Sequence, residues 1–397
     1  MTVRLISTRC IGLFVVIHAA SALASPHIPT SDGEVLEHLP SRAGFASPRT
    51  TRALHALVNK DPNNLDLALR LAHIHVARGR ADSDPRQLGR AQAVLAPWWN
   101  EKEPPIPVLV LRATIEQSIH EFKSALSDLQ QAITRDPANA QAWLTLATVQ
   151  QVTGDLAGAT ESCRRVSELS QSLVSVACKA SIDGVSGKAS AAYAALDRAL
   201  AMAQTGRAES IAVRTWAITM QAELAERLGR SDDADRLYRA SLALDASDAY
   251  TIAAYSDFLI DTSRSHEVLG LIAADTPVDT LLLRYTQAAA RTNDPNASSS
   301  AKDLADRFAA SRERGDRVHL REEARFTLEI EKSAQPALQL ALDNWAIQKG
   351  PIDARIVLET ALAANQPQAA SNVIKWVRTS GLEDARITQL AQQVGEQ

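Results

Sequence analysis

Most of this chain alternates short amphipathic segments whose apolar residues recur at helical spacing, with turn residues between them. No stretch shows a convincing strand-like alternation. The segments come in pairs, and the pairs repeat. The run from Ile106 aligns with the run from Ala140 at an offset of 34 residues, placing Ala113 on Ala147, Ala125 on Ala159, Leu129 on Cys163 and Ala132 on Val166. A second match, again 34 apart, begins at Thr215 and Ala249, with Ala222 on Ser256, Gly229 on Ser263 and Ala234 on Val268. A further unit starts at Leu65, with Ala72, Gly79, Ala91 and Leu95 in the corresponding places. Each unit therefore reads as two helices joined by a tight turn. A small residue in the first helix and another early in the second let them approach closely. Gly79, Gly154 and Gly229 are expected to end the first helix in a left-handed cap. Asp61-Pro62 and Asp136-Pro137 mark the turn into the next unit. One such hairpin cannot bury its apolar face alone, but stacked neighbours can.

These positions resemble the tetratricopeptide repeat family, most clearly over 106–170 and 215–245. The aromatic that the family places early in the first helix is matched by Trp143, and the one late in the second by Tyr238; elsewhere aliphatic residues or a cysteine stand there. The resemblance implies an all-α, right-handed α-solenoid of stacked helix-turn-helix repeats. It also implies a protein-binding role, with a partner peptide or protein on the concave side. The array is expected over 49–277, opened by a capping helix at about 49–59. Weaker helical repeats and a cap follow over 278–397, where Pro336 and Pro367, and Trp345 and Trp376, recur 31 apart.

The flanks bear on location. Residues 1–24 carry Arg4 and Arg9, then an apolar run, then Ala22-Leu23-Ala24, and read as a signal peptide cut after Ala24. Residues 25–48 are rich in Pro, Gly and Ser and read as a flexible leader. No later stretch approaches the roughly 20 apolar residues of a membrane helix. A periplasmic or secreted, soluble bacterial protein is the expectation. Net charge is −4, and −6 once Arg4 and Arg9 are removed, which disfavours binding to nucleic-acid phosphates. Cys163 and Cys178 remain after cleavage, and an oxidising compartment permits a disulfide between them; two small buried residues are the alternative.

Chemistry is sparse. No phosphate loop, nucleophile elbow or His-Glu-x-x-His is present, so neither catalysis nor a cofactor is expected. His73 and His75, two apart on a helix, point opposite ways and do not assemble a metal site. The family's concave side takes the unpacked face of each first helix. Here that face offers His73, then Thr114 and Gln117, then Thr148 and Gln151, then Trp216, Glu223 and Glu226, then Tyr250, Asp257 and Asp261. Its later part is acidic with two aromatics, which predicts a neutral to basic partner segment. Trp98-Trp99, in a turn, is a second candidate anchor, or else covers the end of its hairpin. Alternatives to an envelope scaffold or adaptor are a chaperone-like subunit of an export or polysaccharide secretion machine, and an enzyme with its site in 278–397. A polar cluster in a deep pocket there would favour the enzyme.

Overall fold

A computed structural model of the chain describes residues 47–81, 84–205, 209–315 and 317–396. The expected signal peptide, its cut after Ala24 and all but the last two residues of the leader lie outside the described residues. The first helix, α1 (Pro48–Lys60), starts where its sequence dictates. Proline occupies the first turn, and the Ser47 side chain accepts from the Thr50 amide. Paired first and second helices follow: α2 (Leu65–Ala81) and α3 (Pro85–Val94), with the short α4 (Ala96–Trp99) behind them; α5 (Ile106–Ser118) and α6 (Phe122–Arg135); α7 (Ala140–Thr153) and α8 (Leu156–Leu169); α9 (Leu173–Asp183) and α10 (Ala189–Thr205); α11 (Ile211–Arg227) and α12 (Ser231–Leu244). The series continues with α13 (Ala249–Asp261) and α14 (Ser265–Leu271); α15 (Asp279–Thr292) and α16 (Ala297–Glu313); α17 (Leu320–Glu329) and α18 (Ala334–Ile347); and α19 (Pro351–Ala363) with α20 (Ser371–Ser380), before the closing α21 (Ala385–Glu396). Among the described residues there is no strand. The fold is an all-α, right-handed solenoid of stacked helical hairpins.

Local chemistry sets the turns between hairpins. An Asp three residues before an Asn or Asp recurs at 61–64, 136–139 and 245–248. At the latter two, the first carboxylate accepts from the amide two residues on (Asp136 from Ala138, 3.2 Å; Asp245 from Ser247, 3.0 Å). In all three, the second side chain caps the next helix: Asn64 accepts from the Leu67 amide, Asn139 from Ala142 and Asp248 from Thr251. Within hairpins the turn is left-handed at Gly154 (φ 90°) and Gly229 (φ 71°). His120, Ser263, Asn293 and Asn365 take the same conformation in other units without being glycine. Gly79 departs from the expectation. It lies inside α2, buried, and a Cβ there would meet the Leu88 side chain at 3.2 Å, so its smallness serves the approach of α3.

The paired alanines meet as the spacing requires. Ala72 and Ala91, Ala113 and Ala125, Ala147 and Ala159, and Ala222 and Ala234 are all buried, each pair sharing one apolar cluster. Ala147→Trp or Ala159→Trp is therefore expected to cost about 1–3 kcal/mol or more, because neither helix can retreat from the contact. Thermal melts of the two variants that overlay the parent would show the register to be wrong. Tyr238 is fully buried against Tyr255 and Phe258, and Trp345 meets Trp376 edge-on at 5.3 Å. Cys163 on α8 and Cys178 on α9 are bonded, with their α-carbons 5.6 Å apart.

The last hairpins return to the middle ones. The Lys349 amide donates to the Val152 carbonyl at 2.7 Å, and the Ser190 amide to Glu383 at 3.2 Å. Ile347 packs into the α5–α7 core, while Val185 and Leu156 join the core of the C-terminal helices. Gly187 and Gly381 touch through their backbones; a Cβ on Gly187 would sit 3.0 Å from the Gly381 carbonyl oxygen. The winding thus brings helices far apart in sequence to face one another.

Candidate functional site

Exposed aromatics on the first-helix faces are the starting point. Trp216 on α11 and Tyr250 on α13 occupy equivalent places of successive units and stay 36% and 59% exposed. The Tyr250 hydroxyl donates to Glu223 at 2.6 Å. The Glu223 charge raises the phenol well above its ordinary range. Glu226 accepts from the buried Tyr238 hydroxyl at 2.9 Å. Burial pushes the Glu226 carboxyl up to about 8; the hydrogen bond opposes this and the charges of Asp261, Asp257 and Glu223 add to it. Burial likewise raises Glu223. Near neutral pH, Glu226 is thus largely a neutral acid.

The other two acids are already engaged. Asp257 is buried and receives four charge-assisted hydrogen bonds, two from Arg284 on α15 (3.1 and 2.7 Å) and two from Arg325 on α17 (3.1 and 2.8 Å). Asp261 receives both terminal nitrogens of Arg355 on α19 (2.5 and 2.8 Å) and one from Arg386 on α21 (3.0 Å). The expected open acidic field is therefore corrected. Four arginines from later helices neutralise it from within, and Asp257 is not accessible to a partner.

The remaining face residues divide by burial. His73 and Thr148 are exposed, and Gln117 and Gln151 half-buried. Thr114 is buried, its hydroxyl donating to the Val110 carbonyl, which removes it from any binding surface. Gln151 donates to the Ser181 carbonyl at 3.3 Å. His75 is buried. One ring nitrogen pairs with Gln87 at 2.8 Å and the other with His55 at 3.1 Å. Among the described residues, no three metal-ligating side chains cluster. Trp98 and Trp99, in α4, are half-buried against the cluster around Leu95 and Val108, and Arg112 lies over the Trp99 ring. They cover the end of the first hairpin.

Within 278–397, a cleft of about 490 Å³ opens between α15, α17, α19 and α21, lined among others by Arg291, Glu329, Lys332, Arg355, Glu359 and Arg386. Its acids are held in ion pairs: Glu329 by Arg291 (2.8 Å), and Glu359 by Arg355 (2.8 Å) and Arg386 (3.2 Å). The lining offers no histidine, cysteine or serine to act as base or nucleophile.

No family model matches the sequence, and no curated protein matches it. Solved structures resemble its architecture. A thermophilic tetratricopeptide repeat protein of Thermus thermophilus is 19% identical over 49% of this chain and 98% of its own, with a TM-score of 0.39. The Cut9–Hcn1 hetero-tetramer of the APC/C is 12% identical, covering 87% of this chain and 67% of its own, at 0.49. Yeast Tom70 is 11% identical, covering 88% and 85%, at 0.41.

Sequence reasoning put the aromatics and acids on first helices, where the structure has them, but missed the arginine partners of Asp257 and Asp261. Arg355 lies 94 residues from Asp261, and Arg325 lies 68 from Asp257. The available signal was weak: single arginines at the first-helix positions 284, 325 and 355 of units that otherwise read as degenerate.

Proposed function

We propose that the chain is an exported bacterial scaffold that holds a protein partner on the first-helix face of its solenoid. The observation that carries this reading is the pair Trp216 and Tyr250, large aromatics left open to solvent at equivalent positions of neighbouring units. Buried aromatic anchors dominate protein interfaces, and a helical array presents them at fixed spacing. The Cys163–Cys178 bond supports placement in an oxidising compartment, as does the apolar N-terminal segment ending at Ala24. A scaffold is favoured over an enzyme because Glu329 and Glu359, the acids of the C-terminal cleft, are held in ion pairs and its lining offers no histidine, cysteine or serine.

The test is affinity capture from periplasmic extract, with the wild-type chain beside Trp216→Ala and Tyr250→Ala. We expect Trp216→Ala to weaken the captured complex by roughly tenfold or more, as truncating an interface aromatic does, and mainly through faster dissociation. Equal capture by all three proteins would move the binding surface elsewhere. Sequencing the N-terminus of the mature protein checks the compartment, and the expected first residue is Ser25.

A further inference from the structure

Helix α1 rests on α2 through a small apolar cluster and a pair of histidines. Leu54 and Val58 of α1 meet Leu71 of α2, with Leu67, Ile74 and Val94 at the margin. Beside them the His55 and His75 rings stand edge to face, their centroids 5.1 Å apart and their Nε2 atoms 3.1 Å apart. His75 is buried, and Gln87 on α3 sets its tautomer. The Gln87 amide nitrogen turns to Asp84 at 3.4 Å, which leaves its carbonyl oxygen facing His75 Nδ1 at 2.8 Å. His75 Nδ1 is therefore the donor, and its Nε2 accepts from the Nε2–H of His55. Both rings are neutral in this arrangement.

The surroundings oppose added protons. Arg90 on α3 and Arg78 on α2 both act on His75 with positive charge. Asp84, the acid that Gln87 touches, is held by Arg86 at 2.8 Å. Helix α1 itself carries Arg49, Arg52 and Lys60 and no acid. Burial first, and then the charges of His55, Arg90 and Arg78, keep the His75 ring below its ordinary value against the pull of the Gln87 hydrogen bond. One added proton can lie between the two Nε2 atoms only if His55 moves its own hydrogen to Nδ1. A second proton sets two N–H groups and two positive charges against each other.

We infer that the His55–His75 pair is an acid-sensitive latch, and that falling pH releases α1 from α2. The inference goes beyond the scaffold reading and does not depend on it. A histidine whose folded value lies below its unfolded value of about 6.5 supports the closed contact fully above that pH. Below about pH 6.5 the released form binds more protons than the seated one, so the seat weakens. Release uncovers the side of α2 that carries Leu67, Leu71 and Ile74.

The experiment follows hydrogen exchange of the full chain between pH 7.5 and 5, corrected for the intrinsic pH dependence of exchange, with the α11 amides as internal reference. In the wild type, opening of α1 should rise as pH falls below about 6.5, by up to about tenfold per pH unit for each proton taken up, while α11 stays protected. His55→Gln should lose most of this dependence, because an amide can face His75 Nε2 with either its nitrogen or its oxygen. His75→Gln should lose it entirely. Protection of α1 that holds down to pH 5, or equal pH slopes in the wild type and both variants, overturns the inference. A parallel loss at α11 also overturns it, by showing global acid unfolding. If both variants leave α1 unprotected already at pH 7.5, titration of the wild-type His75 ring by nuclear magnetic resonance decides. A midpoint below the free-histidine value, matched by the α1 amides, supports the latch, and a midpoint at or above that value sinks it.

Discussion

Asp257→Ala is expected to destabilise the chain by about 3–5 kcal/mol, the typical cost of removing one member of a buried ionic cluster. The Asp257 carboxylate is the only acid that hydrogen-bonds Arg284 or Arg325 among the described residues, and both guanidinium groups are themselves buried. Removing it leaves two buried like charges facing each other. Asp257→Asn keeps the shape and loses the charge, so it should fall between the parent and the alanine variant. The pH dependence carries the same signature. Burial alone would raise the Asp257 carboxyl, but the charges of Arg284 and Arg325 outweigh it and hold it far below the ordinary carboxylate range. Glu322 is similar: burial opposes ionisation, yet Arg321 and Arg284 bring it down to about 2. A carboxyl whose folded value is depressed stabilises the fold above its unfolded value of about 4 and loses that contribution as pH falls through the folded value. The parent should therefore lose stability steadily below pH of about 4, and Asp257→Ala should lose less over the same interval. Urea unfolding at a series of pH values measures both. Identical pH slopes for parent and variant would remove Asp257 from this role.

The repeat was legible because its determinants are local and periodic. Alanines at fixed offsets, Asp136-Pro137 at a turn and Gly154 at a left-handed cap each specify a contact or dihedral within one hairpin. Where another residue can do the job, the signal thins. His120, Ser263, Asn293 and Asn365 adopt the glycine conformation at a modest local cost, so searching for glycine finds only some of the turns. Gly79 shows the opposite error, since its role is close packing and its backbone is ordinary helix. The candidate site was only half legible. Helical periodicity put Trp216, Tyr250, Glu223 and Glu226 on first helices, where the structure has them, but did not show that Tyr250 and Tyr238 bond Glu223 and Glu226. The neutralisation of Asp257 and Asp261 depends on the superhelix winding far enough for α15, α17, α19 and α21 to bring their arginines across. That winding is the accumulated product of small rotations at every unit. No single segment encodes it, and formal charge counted along one helix face therefore overstated the field.

Reduction of the Cys163–Cys178 bond is expected to lower unfolding stability by about 3 kcal/mol, the chain-entropy value for a closed loop of this size, 15 residues. The bond joins the second helix of one unit to the first helix of the next, so it ties neighbouring units together as well as closing a short loop. In a solenoid, stability is close to a sum of unit terms and nearest-neighbour interface terms, which makes such a junction a natural place for a structural staple. Both cysteines are buried in one cluster with Ala147, Ala159, Val166 and Ile182. Cys163→Ala together with Cys178→Ala should therefore lose the link while keeping most of the packing. Reduced parent and double variant should melt within a degree or two of each other, both several degrees below the oxidised parent. Local hydrogen exchange should rise first at the α8–α9 junction. Thiol titration of the native protein supplies the chemical count, and neither Cys163 nor Cys178 is expected to be free. A reductant that leaves the melt unchanged, with the same exchange at α8 and α9, would assign these two side chains a packing role alone.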